Sequence, residues 1–405
     1  ATALLARSPR KPMPQVPDLP PVLDGTLVLD LSTAGPAARA ARILADFGAS
    51  VVKVGAPPRK AGVQNTPPFY AYSGNRGMRL VQIDLKAPAS KQAFLRLAER
   101  ADVVIESYRP GVAARLGIGY DDLAKRNPRV VVCSTSGYGQ DGPASQRAGH
   151  DLNYSAVSGY LDCTERRPDG GPPVPGASIA DGAGGGMHAA MSILAALLRR
   201  ERTGRGEYLD VSVADGMLYL MSLYIDEILA TGTEAAPGHY VLTGRYACYG
   251  IYEAGDGKWL SLGIIEAAFW KNLCEALGLE KWIAHQYDDA VQDAVRADLA
   301  AAFRGKSRDA WVAELADANT CLAPVYSIAE VVDDPQFRHR GVVVEAEHEE
   351  HGRFRQLGPT FAAQTPVAGV ARVPNAKRTD TDAVLAEVGV PPDEIEAMRR
   401  DGLVA

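Results

Sequence analysis

From Thr26 onward, short apolar runs alternate with longer stretches in which apolar positions recur every three or four residues. TLVLDL and SVVKV read as buried strands, and GPAARAARILADFG between them reads as a helix. Gly35-Pro36 suits a helix start, because proline at the first helical position gives up no hydrogen bond that the helix needs. Gly48 closes the helix as a left-handed cap. The alternation continues through the strand LVQIDL, the helix APASKQAFLRLAERA and the strands DVVIES and RVVVCSTS. Strands spaced by helices predict an open, mostly parallel sheet with helices on both faces. No GxGxxG follows the first strand, so the dinucleotide-binding version of such a Rossmann-like sheet has little support.

Further along, GAGGGMHAAMSILAALLRRERTG carries helical spacing, a basic last turn and a closing glycine. EYLDVSV predicts a strand and ADGMLYLMSLYIDEILATG another helix. After about residue 230 the texture changes. RYACYGIYEAGDGKWLSLGI alternates around Gly-Asp-Gly, a hairpin signal, and helical patterns follow at 267–277, 291–304 and 308–318. The tail holds strand-like GVVVEAE and QLGPTF and a short final helix. The expected organisation is an N-terminal arm (1–25), a large α/β domain (26–230), a small α+β domain with linkers (231–345) and a C-terminal segment returning to the large domain (346–405).

Composition narrows the classes. The chain has 405 residues, 46% hydrophobic and 23% charged, which fits a globular protein of more than one domain. A formal charge of −6 argues against a nucleic-acid partner. The five cysteines are scattered without a CxxC pair, which argues against a disulfide framework or zinc site and for a reducing interior. The apolar runs near 191–198 and 217–224 are too short to span a membrane, and no signal-peptide core opens the chain, so the expected location is cytoplasmic.

Chemistry concentrates in two places. AGHDLNYSAVSG sets His150 beside Asp151 ahead of an apolar segment, and VPGASIADGAGGGMHAA sets Asp181 against glycines. Both acids suit helix starts, where Asp151 would act as the cap and the dipole would favour Asp181. Gly182, Gly184, Gly185 and Gly186 weaken a helix by roughly 0.5–1 kcal/mol each, so a ligand or another helix must approach that backbone closely. His188 fits a packed ring on an apolar helix face. His339, His348 and His351 fall in a charged stretch that reads as a solvated face, with no convincing metal spacing. The cysteines read as small hydrophobes.

Taken in order, GTLVLDLSTAGPAARAARILADFGASVVKV, NRGMRLVQIDLK, DVVIESYRPGVAARLGIGYDDL, SGYGQDGP, AGHDLNYSAVSG, the Asp181 segment and CLAPVYSIAEVVDDPQFRHRGVV resemble the family III CoA-transferase (CaiB/BaiF) superfamily, and GHDxNY resembles its α-methylacyl-CoA racemase branch. The resemblance implies an interlocked homodimer, each chain with a large and a small domain joined by long linkers. It implies that His150 and Asp181 flank the substrate's α-carbon and that Glu266, in LGIIEAAFW, supports the histidine. Coenzyme A is then part of the substrate, an acyl-CoA thioester, and no separate cofactor or metal is expected. For its phosphates the resemblance points to Arg109 and Arg115 in YRPGVAAR and to Arg76 and Arg79 in NRGMR. Gly55 stands where the family often has an acid, and Met78 where it often has lysine, so Arg59 and Lys60 are possible substitutes.

These residue types suit α-proton transfer. A neutral imidazole accepts the proton from one enantiomer while a protonated carboxyl donates to the opposite face. The enolate oxygen needs fixed N–H donors, for which backbone amides near Asp151 are candidates; Asp151 itself would orient the loop. The expected activity is interconversion of (2R)- and (2S)-2-methylacyl-CoA. Two alternatives stand beside it. In a CoA-transferase, Asp181 attacks the thioester and then carries CoA covalently; a CoA-ester-binding protein would have no catalysis.

Overall fold

The computed structural model describes residues 19–58, 72–375 and 377–405. Its largest sheet joins β1 (Leu27–Asp30), β2 (Ser50–Gly55), β3 (Arg79–Gln82), β4 (Val103–Glu106), β5 (Val131–Ser136) and β6 (Tyr208–Ser212). They are parallel throughout and ordered β3-β2-β1-β4-β5-β6. Their residues are buried on both sides because alternate side chains point to opposite faces. Leu29, Val52, Val104 and Val132 enter one apolar cluster. Val28, Val51, Val103, Ile105 and Val131 enter the other.

Helices cover both faces, in chain order α1 (Gly35–Asp46), α2 (Pro88–Ala98), α3 (Val112–Leu116), α4 (Tyr120–Arg126), α5 (Asp151–Val157), α6 (His188–Thr203), α7 (Val213–Leu220) and α8 (Ser222–Thr231). In α1 the buried positions are mostly alanine, with Leu44 fully buried, so its axis lies close to its neighbours. At its C-terminal end the Asp46 carboxylate takes two guanidiniums, from Arg42 and from Arg76 at 2.9 Å, all largely buried. Within the sheet, the Lys53 ammonium meets the fully buried Asp30 at 2.6 Å, where β1 and β2 pair.

A second unit follows. β7 (Tyr249–Glu253) and β8 (Trp259–Gly263) form the expected hairpin, and β9 (Leu322–Pro324) adds to β8. Over it pack α9 (Ala267–Leu277), α10 (Gln292–Phe303) and α11 (Arg308–Glu314), around Leu260, Trp270, Leu299 and Phe303. The chain leaves through α12 (Ile328–Asp333) and α13 (Pro335–His339). It then builds a small sheet from β10 (Val343–His348), β11 (Gly352–Leu357) and β12 (Ala371–Arg372). α14 (Thr381–Glu387) and α15 (Pro392–Arg400) place Val384, Leu385, Ile395 and Met398 in the same apolar cluster as Leu29 and Val104.

Several local expectations change. The glycine run forms a π-helical turn, Ala180–Met187, before α6 begins. The single helix expected over ADGMLYLMSLYIDEILATG starts earlier, at Val213, and breaks at Met221 into α7 and α8. β11 uses GRFRQL and stops before the proline of QLGPTF, which cannot donate to a ladder. His348 is buried rather than solvated: its Nδ1 accepts from Glu350 N at 3.1 Å and its ring lies 4.8 Å from that of His351. Cys133, Cys248 and Cys274 are buried, but Cys321 is exposed. No helix among the described residues is long and apolar enough to cross a membrane.

Candidate active site

Strand order reverses between β1 and β4, and at such a switch point the loops after the strands part to leave a crevice at the carboxyl ends. A cavity of about 640 Å³ lies there. Its walls include Gly35 after β1, Tyr108 and Arg109 after β4, Ser136 at the end of β5 and Gly137 after it. His150, Asn153, Tyr154 and Asp181 complete it. The imidazole and the glycine-flanked acid thus face one space, although 30 residues and a long loop separate Asp151 from Asp181.

The cap at the start of α5 is His150, not Asp151. His150 N donates to Asn153 Oδ1 at 3.0 Å, and its carbonyl accepts from Asn153 N at 2.8 Å. This leaves the Asp151 carboxylate free to take a different donor, Asp181 N, at 2.8 Å. Asp151 therefore joins the two halves of the site. Tyr154 fixes the tilt of α5. Its hydroxyl donates to Gly149 O at 2.6 Å, its ring meets Tyr138 edge-on, and Gly137 and Gly149 leave the room it fills. Burial pushes its hydroxyl up to about 12, so it remains a neutral donor.

The glycines after Asp181 have a packing explanation. A Cβ on Gly184 would lie 3.0 Å from Val213 O on α7, and one on Gly186 would lie 2.8 Å from Arg39 Cβ on α1. Gly185 packs on Pro36 and Val213, and Gly216 of α7 comes against the Gly184 carbonyl. The close visitors are helices α1 and α7. Only Gly182 faces open space. The turn between α1 and α7 takes the wider π-helical winding, a form often found at functional positions.

Asp181 is half-buried, and its carboxyl is raised above the ordinary aspartate range. Burial contributes most and the neighbouring Asp151 charge adds to it, while Arg39 and His150 oppose. The carboxyl thus keeps its proton to higher pH than a free aspartate. At the end of β4, the buried Glu106 is also raised, mainly by burial, with the Ser134 hydroxyl and the Tyr108 amide opposing.

Other expected residues are distributed differently. Arg109 lines the cavity and is exposed. Arg115 is exposed at the end of α3, outside the cavity lining. Arg76 and Arg79 do not line the cavity: Arg76 is buried on Asp46 and donates to Leu357 O, and Arg79 bonds both Glu387 oxygens at 2.7 and 2.8 Å. Both guanidiniums tie the C-terminal segment to the sheet. Met78 packs in the core with α1. Arg59 and Lys60 lie outside the described residues. Glu266 is the exposed N-cap residue of α9 and does not line its own chain's cavity. His188 lines an apolar groove instead, and no cluster of three metal-ligating side chains occurs among the described residues. Two arginines outside the expected set join the site, Arg147 at the mouth and Arg39 beside Asp181. Arg147 stood three residues ahead of His150 as a visible signal; Arg39 looked like one surface position of a helix.

Fold and site define an α/β protein with a cavity at the switch point of its sheet, lined by His150 and by the perturbed acid Asp181. The chain belongs to CoA-transferase family III, whose model matches residues 23–377. It is similar to the alpha-methylacyl-CoA racemase of Homo sapiens, 31% identical over 388 residues, 94% of this chain and 97% of that protein. It is also similar to the succinyl-CoA:glutarate CoA-transferase of Homo sapiens, 29% identical over 385 residues, 90% of this chain and 86% of that protein. Among solved structures, a CAIB/BAIF family protein from Brucella suis is 27% identical, with a TM-score of 0.76, covering 90% of this chain and 99% of that one.

Proposed function

We propose that the protein interconverts the (2R) and (2S) forms of 2-methyl-branched acyl-CoA thioesters. The observation that carries this is the shared cavity: His150 and Asp181 line one space, and burial beside Asp151 favours the protonated form of Asp181. For one enantiomer, neutral His150 takes the α-proton and the C–H electrons pass into the thioester carbonyl, giving an enolate. Protonated Asp181 then delivers a proton to the other face. The enzyme ends with imidazolium and carboxylate, the state that serves the opposite enantiomer. The enolate oxygen is placed toward the first-turn amides of Asp151 and Leu152, which have no acceptor within their own helix. Arg109 and Arg147 at the mouth suit the CoA phosphates.

An interlocked homodimer belongs to the same proposal. Glu266 reaches His150 in this reading from a second copy. The apolar faces of α6, α7 and α8 support a second copy, since Met191, Tyr219 and Leu229 are 65%, 78% and 79% exposed. A CoA-transferase reading is favoured by the 29% identity to the succinyl-CoA:glutarate enzyme, and Asp181 would then be the nucleophile.

The deciding experiment incubates each enantiomer of a 2-methylacyl-CoA in deuterated water. Racemisation with α-deuteration is expected, and His150→Ala should lose exchange from one enantiomer far more than from the other. Trapping of an Asp181 acyl adduct by hydroxylamine, without deuteration, would establish transfer instead. Binding without either outcome would leave a binding protein.

A further inference from the structure

One turn into α1, Arg39 stands behind the π-helical turn in a place that the proton transfers above do not call for. Its Nη2 donates to Ser178 Oγ at 2.9 Å, three residues ahead of Asp181. Across the turn, the absent side chain of Gly186 leaves room for Arg39: a Cβ there would sit 2.8 Å from Arg39 Cβ and 3.0 Å from the Asp181 carbonyl oxygen. Arg39 is therefore lodged against both the entry and the body of the segment that carries the acid. Its Nε is buried and has no acceptor. A guanidinium is charged at every pH at which the protein is folded, so this is a fixed positive charge.

The Asp181 turn packs on α1, α5, α6, α7 and β6, and the charged groups acting on the acid come from α5 and α1, while Asp210 of β6 accepts from Gln140 N. From the start of α5 come His150, Asp151 and Tyr154, and the Asp151 carboxylate holds Asp181 N at 2.8 Å. On α1, Arg42 is paired with Asp46, which leaves Arg39 to face the acid. The titratable side chains of α7, Asp215 and Tyr219, and His188 of α6 line the apolar groove instead. Burial and Asp151 thus disfavour the Asp181 carboxylate, and Arg39 acts first among the groups that oppose them.

We propose that Arg39 is a positioning residue for the catalytic acid: it anchors the Asp181 segment through Ser178 and supplies the charge against which Asp181 releases and regains its proton. The inference rests on the proton-transfer role given to Asp181. In both directions of the reaction Asp181 must change protonation state, and without a fixed cation beside it the carboxylate of a half-buried acid next to Asp151 would be further disfavoured. The sign follows from linkage: removing a nearby positive charge favours the neutral carboxyl, so the Asp181 titration moves to higher pH.

The test is made on the full chain, labelled with carbon-13 at aspartate carboxyls, with the Asp181 resonance assigned by its loss in Asp181→Asn. Asp181 is titrated in wild type, Arg39→Met, Arg39→Lys and Ser178→Ala, with Arg39→Gln as the second neutral variant should the methionine variant not fold. The midpoint is expected to rise by about one pH unit in the neutral variants and to stay near wild type in Arg39→Lys and Ser178→Ala. The Asp181 limb of the exchange pH profile should move by the same amount, whereas Ser178→Ala should lower kcat with the limb in place. A midpoint unmoved in Arg39→Met and Arg39→Gln, or moved equally in Ser178→Ala, would overturn the proposal. Wild-type protein that titrates as expected but exchanges no α-proton would overturn the racemase reading and support the electrostatic link between Arg39 and Asp181.

Discussion

Gly186 and Gly182 lie on the same π-helical turn and invite the same substitution with opposite results. Helix propensity alone favours alanine over glycine by about 1 kcal/mol at either position. At Gly182 nothing lies within 4 Å of the added methyl group, so that gain should survive, and Gly182→Ala should stabilise by roughly 0.5–1 kcal/mol. At Gly186 the methyl would lie 2.8 Å from Arg39 Cβ and 3.3 Å from Pro36 O. Carbon pairs rest at about 3.5–4.0 Å, so α1 and the turn must part by ~1 Å. The neighbours that must yield include backbone and a Cβ, which cannot rotate away. Such overpacking costs about 1–3 kcal/mol. With the propensity gain subtracted, Gly186→Ala should destabilise by ~1 kcal/mol, and the two variants should differ by ~2 kcal/mol. Denaturant unfolding of both, followed by thermal scans at fixed protein concentration, reads this difference directly. Gly186→Ala should also lower kcat, because the displaced turn carries Asp181 and its bond to Asp151. If both variants are stabilised equally, the glycines are not there for helix packing and the account of the π-helical turn is wrong.

Three further outcomes follow from buried charge and from the cavity mouth. Asp46→Asn leaves Arg42 and Arg76 without their shared carboxylate; breaking a buried pair of this kind costs about 3 kcal/mol, and an unfolding curve within 1 kcal/mol of wild type (about the error of such a comparison) would refute it. Glu106 is held above its usual range mainly by burial, so its stabilising contribution is present in acid and lost as pH rises through the raised value. Glu106→Gln, which cannot ionise, should therefore gain stability over wild type on going from about pH 4 to about pH 7; a difference independent of pH would refute the assignment. Arg109→Ala and Arg147→Ala should each raise KM for an acyl-CoA roughly fivefold with little change in kcat. That effect should shrink in high salt, and a loss confined to kcat would place these residues elsewhere in the reaction.

Much of the architecture was legible in the chain because it depends on local periodicity. The unbroken apolar runs TLVLDL, SVVKV and DVVIES, set between amphipathic helices, dictate a parallel sheet covered on both faces, and α1 begins at the Gly35-Pro36 that announces it. The pairing of His150 and Asp181 was legible as chemistry, from residue type and family likeness. Their meeting in one cavity was legible only through the family likeness and not from the residues themselves, because it depends on the strand order that sets the β1, β4 and β5 loops side by side. The fate of the arginines shows the same divide. Arg76, Arg79 and Arg109 are equivalent as letters, yet the first is buried on Asp46, the second bonds Glu387 and the third opens onto the cavity. A charged side chain takes its role from what lies across space, and for Arg76 and Arg79 that includes residues some 280 to 308 positions away. The sequence by itself determined which segments are strands and helices and which residue types are able to move a proton. Only the tertiary structure decided which acid is perturbed, which helices the glycines admit and which cation stands behind Asp181, since electrostatics and packing act through distance in space rather than along the chain.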